Sequence, residues 1–219
     1  MPFWAIDEFD LLMKNKPESY IEHLAKDKKF AKVVAGQKKL SIIKRKDVYL
    51  YLCFSIIGQQ LSTKVAATIR RRFLDLYPGK PSPEQILATP HEALRSIGLS
   101  GAKANYVQNV ARFTLESGMD PKTLHKMNNE EVIEYLTSIK GVGRWTVEML
   151  LMFTLGREDV FAVDDLGIQQ AMVKVYRLDN SDKKKFREDM LRISSRWSPY
   201  RTFACLHLWQ HKDKKVSDK

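Results

Sequence analysis

Leu136-Thr137-Ser138-Ile139-Lys140-Gly141-Val142-Gly143-Arg144-Trp145-Thr146 is the stretch whose reading sets the fold. One helical segment runs into it, and a second begins near Trp145. Between them two glycines flank a small apolar residue. Glycine lets the backbone turn tightly and approach a ligand closely. The second helix then offers unpaired N–H groups at its start, where an anion binds well. Lys140 and Arg144 add positive charge beside them, and Thr146 follows. A single glycine would read as an ordinary helix C-cap. The Gly-Val-Gly turn with two cations instead favours a phosphate clamp made of a helix, a hairpin and a helix.

Working outward, the next signal is Asp159-Val160-Phe161-Ala162-Val163-Asp164-Asp165-Leu166-Gly167-Ile168. Two adjacent carboxylates follow an apolar segment and precede a helix. One has a structural role, since Asp164 is read as the N-cap of a helix from Asp165 to about Tyr176. The other is then spare, and a spare carboxylate beside a phosphate clamp repels DNA unless it serves chemistry. The alternative is that both carboxylates favour the helix N-terminus electrostatically.

Trp145, Trp197 and Trp209 lie in or near these motifs. Tryptophan is commonly core, but a base-stacking pocket needs such residues. Ser55-Ile56-Ile57-Gly58-Gln59-Gln60-Leu61-Ser62 ends one helix and starts another. Its paired glutamines read either as surface or as groups that fill the gap left by a flipped nucleotide.

The punctuation elsewhere is helical. Ser62 precedes an amphipathic run to about Tyr77, and Pro78–Pro83 breaks the chain. Thr89-Pro90-His91-Glu92 reads as a capping box opening a short helix that stops at Gly98. Further helices are expected from Ser100 to near Gly118, from Asn128 or Asn129 to Leu136, from Trp145 to Leu155, around Phe186–Ile193, and from Ser198-Pro199 onward. The apolar run Val48–Ile57 fits a buried strand or a buried helix. With helices on both sides and no partner strands, a central helix is expected. The fold class is therefore all-α, with about ten helices. Residues 1–211 read as one compact unit of two interleaved helical lobes, and 212–219 as a basic polar tail. Leu94–Gly101 faintly echoes Leu136–Gly143, which suggests a repeated helix pair.

Composition narrows the function. The chain of 219 residues carries 37 Lys and Arg against 26 Asp and Glu, a net charge of +11. That excess points to a polyanion, nucleic acid first and an acidic membrane surface second. No apolar run reaches the roughly 18 residues that span a bilayer. Met1–Glu8 lacks the basic head and cleavage site of a signal peptide. Cys53 and Cys205 are too few for a disulfide framework, a four-cysteine zinc site or an iron–sulfur cluster. Buried thiols in a reducing, intracellular compartment are expected.

Four ordered stretches, Ser55–Ser62, Gly141–Thr146, Asp159–Gly167 and Leu206–Trp209, resemble the helix–hairpin–helix superfamily of DNA glycosylases. Within it they resemble the alkylpurine, or 3-methyladenine DNA glycosylase II, branch in its short form without an extra N-terminal domain. The resemblance runs from about Tyr20 to His211. It implies two helical lobes around an active-site cleft, and excision of alkylated purines from duplex DNA by base flipping and hydrolysis. Carried over by motif, Asp165 is the catalytic carboxylate and Asp164 takes the cap. Trp145, Trp209 and Met149 are expected at the base. Gln60 and Leu61 stand where the family places its wedge, and Lys140, Gly141, Val142, Gly143, Arg144 and Thr146 where it grips DNA. The backbone carbonyls of Thr137, Ile139 and Val142 match a Na+ or K+ site. No cofactor is implied for catalysis.

The departures also carry information. Trp145 stands where backbone-cleaving relatives have lysine, so a monofunctional hydrolase is expected. Met149 replaces an aromatic found in some members, which bears on the breadth of substrate. Lys140 replaces a common hairpin proline. The expected partner is double-stranded DNA with alkylated bases, the expected state a monomer, and the expected place the cytoplasm or nucleoid of a bacterium or the nucleus of a eukaryote. The rival readings are a non-catalytic DNA clamp, a glycosylase for another lesion class, a glycosylase with lyase activity, and a binder of acidic membranes.

Overall fold

The computed structural model describes residues 19–45 and 47–217, with side chains from 20 to 45 and from 47 to 212. The reading of Met1–Glu8 lies outside the described residues. In chain order the α-helices are α1 (Ser19–Ala25), α2 (Lys28–Val34), α3 (Val48–Gly58), α4 (Thr63–Leu74), α5 (Pro83–Ala88), α6 (His91–Ser96) and α7 (Gly101–Glu116). There follow α8 (Pro121–Lys126), α9 (Asn129–Thr137), α10 (Arg144–Phe153), α11 (Leu166–Tyr176), α12 (Lys183–Ser194) and α13 (Arg201–Ser217). A 3-10 turn, Ser195–Trp197, follows α12. Among the described residues there is no strand, and the all-α expectation holds. No helix among them is long and apolar enough to cross a membrane.

The chain forms two compact units. One joins the segments up to Ile43 and from Gly156; the other is Lys44–Leu155. The second unit is thus an insertion in the sequence of the first.

In the Lys44–Leu155 unit, the ambiguous run Val48–Ile57 becomes α3. Eight of its side chains, Val48, Leu50 to Cys53 and Ser55 to Ile57, are buried. A helix buried nearly all round shows no apolar stripe, which is why its sequence has no helical period. It packs on α4, α7 and α10, and α5 and α6 pack on α7. The capping boxes fall at Ser82 with Gln85, and at Asn128 with Glu131. The expected box at Thr89 does not form. Pro90 is the N-cap of α6 without a side-chain bond, and the Thr89 hydroxyl donates back to the Gln85 carbonyl. The proline-rich break hides α5, whose first residue is Pro83, where a missing N–H costs nothing.

In the other unit, Trp197 is completely buried, with Phe30, Phe161 and Tyr176 rings at 4.8, 5.8 and 6.1 Å. It is core, which removes it as a base platform. α11 packs on α13 and α2. The last helix starts at Arg201, past the expected Ser198-Pro199, and runs beyond Lys212 to Ser217. Cys53 and Cys205 are buried thiols that form no disulfide, and burial pushes the Cys53 thiol up to about 12.

Candidate active site and DNA-binding elements

The carboxylate site is built from a buried extended segment and two helix ends. Val160, Phe161, Ala162 and Val163 are all buried. They are strapped to the start of α13. The Thr202 hydroxyl accepts from the Val160 N–H (3.0 Å) and donates to the Arg157 carbonyl (2.7 Å). Arg201 clasps Asp159 through Nε and Nη2 at 2.6 and 2.9 Å. Two short turns follow, Val163 N–H to Phe161 and Asp165 N–H to Ala162, both at 3.1 Å. They deliver Asp165 as the N-cap of α11.

Asp165 therefore does the capping itself, which corrects the assignment of that role to Asp164. Its Oδ1 accepts from the Ile168 N–H at 2.9 Å. Asp164 is exposed and pairs with Arg187 of α12. Both residues are aspartates one position apart, so capping chemistry alone does not separate them.

The same Oδ1 accepts from the indole Nε1–H of Trp209 at 2.9 Å. Asp165 is 8% exposed and Trp209 2%. In the structure Trp209 thus fixes the carboxylate, whereas the sequence suggests a ring laid open to a base. Gly167 makes the contact possible. A Cβ there would lie 3.1 Å from Asp165 Oδ1 and 3.1 Å from Trp209 Cδ1. The only local mark of this role in the sequence is a glycine in the first turn of a helix, where glycine is otherwise unfavourable.

The hairpin lies in the other unit. The Ile139 N–H closes on the Leu136 carbonyl (3.2 Å), and the Val142 N–H on the Ile139 carbonyl (3.0 Å). Gly141 has φ +106°, and a Cβ there would fall 2.3 Å from Tyr106 Cγ. Both conformation and packing demand glycine. Asn109 braces the turn by donating to the Lys140 carbonyl at 3.2 Å. Tyr106 and Asn109 of α7 carried no sequence signal. Gly143 differs: its φ is −97° and nothing lies within 4 Å of its Cβ position. The protein's own packing does not require that glycine. Gly143 brings no side chain to cap α10, and Val142 is buried as the apolar anchor of the turn.

The cations beside the hairpin differ in their engagements. The Lys140 side chain is exposed. Arg144 is committed to carboxylates: its Nη1 and Nη2 hold Glu130 at 2.9 and 2.6 Å, and its Nε holds Glu148 at 3.1 Å. Glu148 is 2% exposed, so Arg144 compensates a buried carboxylate. Its hydrogen bonds pull the Glu130 carboxyl below its ordinary value. Arg144 is therefore not the open phosphate cation that the sequence suggests. The Thr146 side chain is buried, which leaves its backbone at the helix start as its route to a phosphate. Met149 is completely buried and presents no surface to a base; Trp145 is half-buried.

For the cation site, among the described backbone bonds the carbonyls of Thr137 and Val142 accept none, and that of Ile139 accepts one. A carbonyl has two lone pairs, so this donor set suits a hard monovalent ion. Among the described residues no cluster of three or more His, Cys, Asp or Glu side chains could hold a metal.

The Gly58–Leu61 loop, which the sequence suggests as a wedge, follows α3. Gln60 is exposed with φ +58°, a left-handed conformation that costs a non-glycine residue about 1–2 kcal/mol. Leu61 is 36% exposed, and its N–H closes on the Gly58 carbonyl at 3.3 Å.

The chain is similar to known proteins in sequence and in fold. The profile described as HhH-GPD superfamily base excision DNA repair protein matches residues 53–196. DNA-3-methyladenine glycosylase 1 of Schizosaccharomyces pombe is 36% identical over 195 residues, 87% of this chain and 83% of the relative. The solved structure of the 3-methyladenine DNA glycosylase of that yeast with abasic DNA matches with a TM-score of 0.76 and 33% identity, covering 87% of this chain and 95% of the other. A DNA-3-methyladenine glycosidase from Bacillus halodurans matches with a TM-score of 0.79 and 34% identity over 91% of each chain. The hairpin Leu136–Thr146, the Gly58–Leu61 loop and Asp165 all fall within the matched region, and the chain belongs to the HhH-GPD superfamily of base excision DNA repair proteins.

Proposed function

We propose that this chain excises alkylated purines, of the 3-methyladenine and 7-methylguanine type, from duplex DNA and leaves an abasic site. The observation that carries this reading is the Asp165 carboxylate, held by two N–H donors on one oxygen. It is supported by relatives such as the yeast protein, named DNA-3-methyladenine glycosylase 1.

A purine alkylated at N3 or N7 is cationic, so it needs little help from an acid to leave. The glycosidic bond breaks, its electron pair departs with the base, and the base leaves neutral. Oxocarbenium character develops on the sugar. The Asp165 carboxylate stabilises that charge. Water then adds at C1′, and its proton passes to the carboxylate and on to solvent. Extruding the nucleotide from the stack costs a few kcal/mol. The Gln60–Leu61 tip fills the gap, and the half-buried Trp145 offers an aromatic face to a cationic base. The hairpin holds the backbone through N–H groups at the start of α10, with Lys140 beside it. The carbonyls of Thr137, Ile139 and Val142 would hold a monovalent cation that rigidifies the turn.

Position 145 carries no amine, and the hydrolysis proceeds without a covalent enzyme–sugar adduct. The test is incubation of the protein with methylated duplex DNA, reading free bases by mass spectrometry and adding borohydride in parallel. Release of methylated purine without a trapped adduct is the expected result. A trapped adduct overturns the hydrolytic reading, and DNA binding with no base release overturns the enzymatic one.

A further inference from the structure

The faint echo of the hairpin, Leu94–Gly101, is a second helix–turn–helix in the structure, formed by α6 and α7. Gly98 has φ +108°, matching the +106° of Gly141. Ser100 caps α7 by accepting from the Lys103 N–H at 3.2 Å. The first turn of α7 sends the Lys103 side chain to the end of α3. There Nζ donates to the Ile57 carbonyl at 3.0 Å and to the Gln59 carbonyl at 2.6 Å. Arg70 of α4 reaches the same helix end. Its Nε and Nη2 donate to the Phe54 carbonyl at 3.3 and 3.2 Å, and its guanidinium lies 5.7 Å from the Phe54 ring centroid. It also packs beside Gly58, where a Cβ would fall 3.0 Å from Nη2.

We propose that Lys103, seconded by Arg70, is a positioning residue for the DNA wedge, holding the Gly58–Leu61 loop in the conformation that fills the gap behind a flipped nucleotide. This rests on the reading of Gln60 and Leu61 as that wedge. Two physical requirements converge on the site. The last carbonyls of a helix carry partial negative charge, which opposes a polyanion unless cations neutralise it. Lys103 and Arg70 do so with the carbonyls of residues 54, 57 and 59. Gln60 also has a left-handed backbone that glycine would adopt more readily, so its neighbours must hold it. Lys103 holds the carbonyls of Ile57 and Gln59, on the chain just before Gln60. It is half-buried, and burial pushes its ammonium below the ordinary lysine value. A cation kept there against desolvation serves the loop more than bulk solvent.

The test uses Lys103→Met, which keeps the stem and removes the donors. Single-turnover release is measured from a matched duplex bearing 7-methylguanine, and from the same lesion inside an unpaired bubble with duplex flanks. Extrusion is costly only in the first, so Lys103→Met is expected to slow the matched duplex about tenfold and leave the bubble within about twofold of wild type. Equal rates of wild type and variant on the matched duplex overturn the proposal. An equal loss on both substrates also overturns it, making Lys103 a general DNA contact or a folding residue. If Lys103→Met melts below the assay temperature, Lys103→Leu, which also removes the donors, is read in the same way. If wild type releases no base from either DNA, the functional reading fails, and the wedge is tested separately. The probe is then a duplex with 2-aminopurine beside a tetrahydrofuran abasic analogue. Wild type is expected to raise its fluorescence and Lys103→Met to leave it unchanged; an equal rise with both proteins overturns the proposal.

Discussion

Trp209 donates its indole N–H to Oδ1 of Asp165 across 2.9 Å, so the carboxylate that caps α11 is also held by α13. Nothing local in the sequence links these residues, which lie far apart along the chain. The contact needs Gly167 between them, because any Cβ there would press on both partners.

Trp209→Phe keeps most of the ring and removes this one donor. A hydrogen bond to a charged group contributes about 1.5–3 kcal/mol. The single-turnover rate of base release should therefore fall about ten- to a hundredfold, with affinity for duplex DNA unchanged. An unchanged rate would show that the indole merely packs.

The two hairpin glycines should separate cleanly. Gly141→Ala meets both a left-handed φ and the Tyr106 ring, so it should lower the melting temperature and cost more than about 2 kcal/mol. Gly143→Ala meets nothing within 4 Å in the protein, so the melting temperature should hold while duplex affinity falls. Calorimetry and fluorescence anisotropy read the two effects. Undiminished DNA affinity in Gly143→Ala would mean that no phosphate approaches that position.

Arg144 and Lys140 should behave differently, although the sequence gives both the same role as phosphate cations. Arg144→Ala leaves the buried Glu148 carboxylate without its guanidinium. The expected loss of stability is about 2 kcal/mol, below that for a fully buried pair because Arg144 is 43% exposed. Lys140→Ala should leave stability unchanged and reduce the slope of log affinity against log salt by about 0.9. A slope change confined to Arg144→Ala would reverse these assignments.

His207 predicts an acid-sensitive fold. It is 1% exposed, its Nδ1 donates to Gln37 Oε1 at 2.7 Å, and burial pushes the imidazole down to about 4. An unfolded imidazole titrates near 6.5, at about the ordinary histidine value. From there down to about pH 4 the unfolded chain binds the proton and the folded chain does not, so stability falls as pH falls. Burial opposes the effect at Asp159, but Arg201 and Ser198 hold its carboxyl below the ordinary value. Its contribution is lost lower in pH. Denaturant midpoints across this range should flatten in His207→Gln; parallel pH profiles would contradict the assignment.

What the sequence revealed and what it hid divides by range. The hairpin was legible because its glycines, its cations and the following helix lie within one short stretch. The helical class was legible from caps and breaks, and α3 from its flanks, since burial on nearly all sides erases its period. The sequence singles out Asp165 but places the cap on Asp164, because two adjacent aspartates satisfy the same local rule. The remaining differences come from contacts between residues distant in the chain. Arg144 is committed to Glu130, Gly141 packs on Tyr106, and Trp209 turns to Asp165, and no local spacing rule reports any of these.

The most direct test of the account is Asp165→Asn, read side by side for base release from methylated duplex DNA and for binding to duplex bearing an abasic analogue. Asparagine caps a helix as well as aspartate does and can still accept the bonds from Ile168 and Trp209. The fold and the grip on DNA should therefore persist while the charge at the sugar is lost. Wild-type melting, binding within about threefold of wild type, and base release slowed at least about a thousandfold are expected, in line with the loss of a main electrostatic stabiliser. Base release near the wild-type rate, from a folded variant, would contradict the assignment of Asp165 as the catalytic carboxylate.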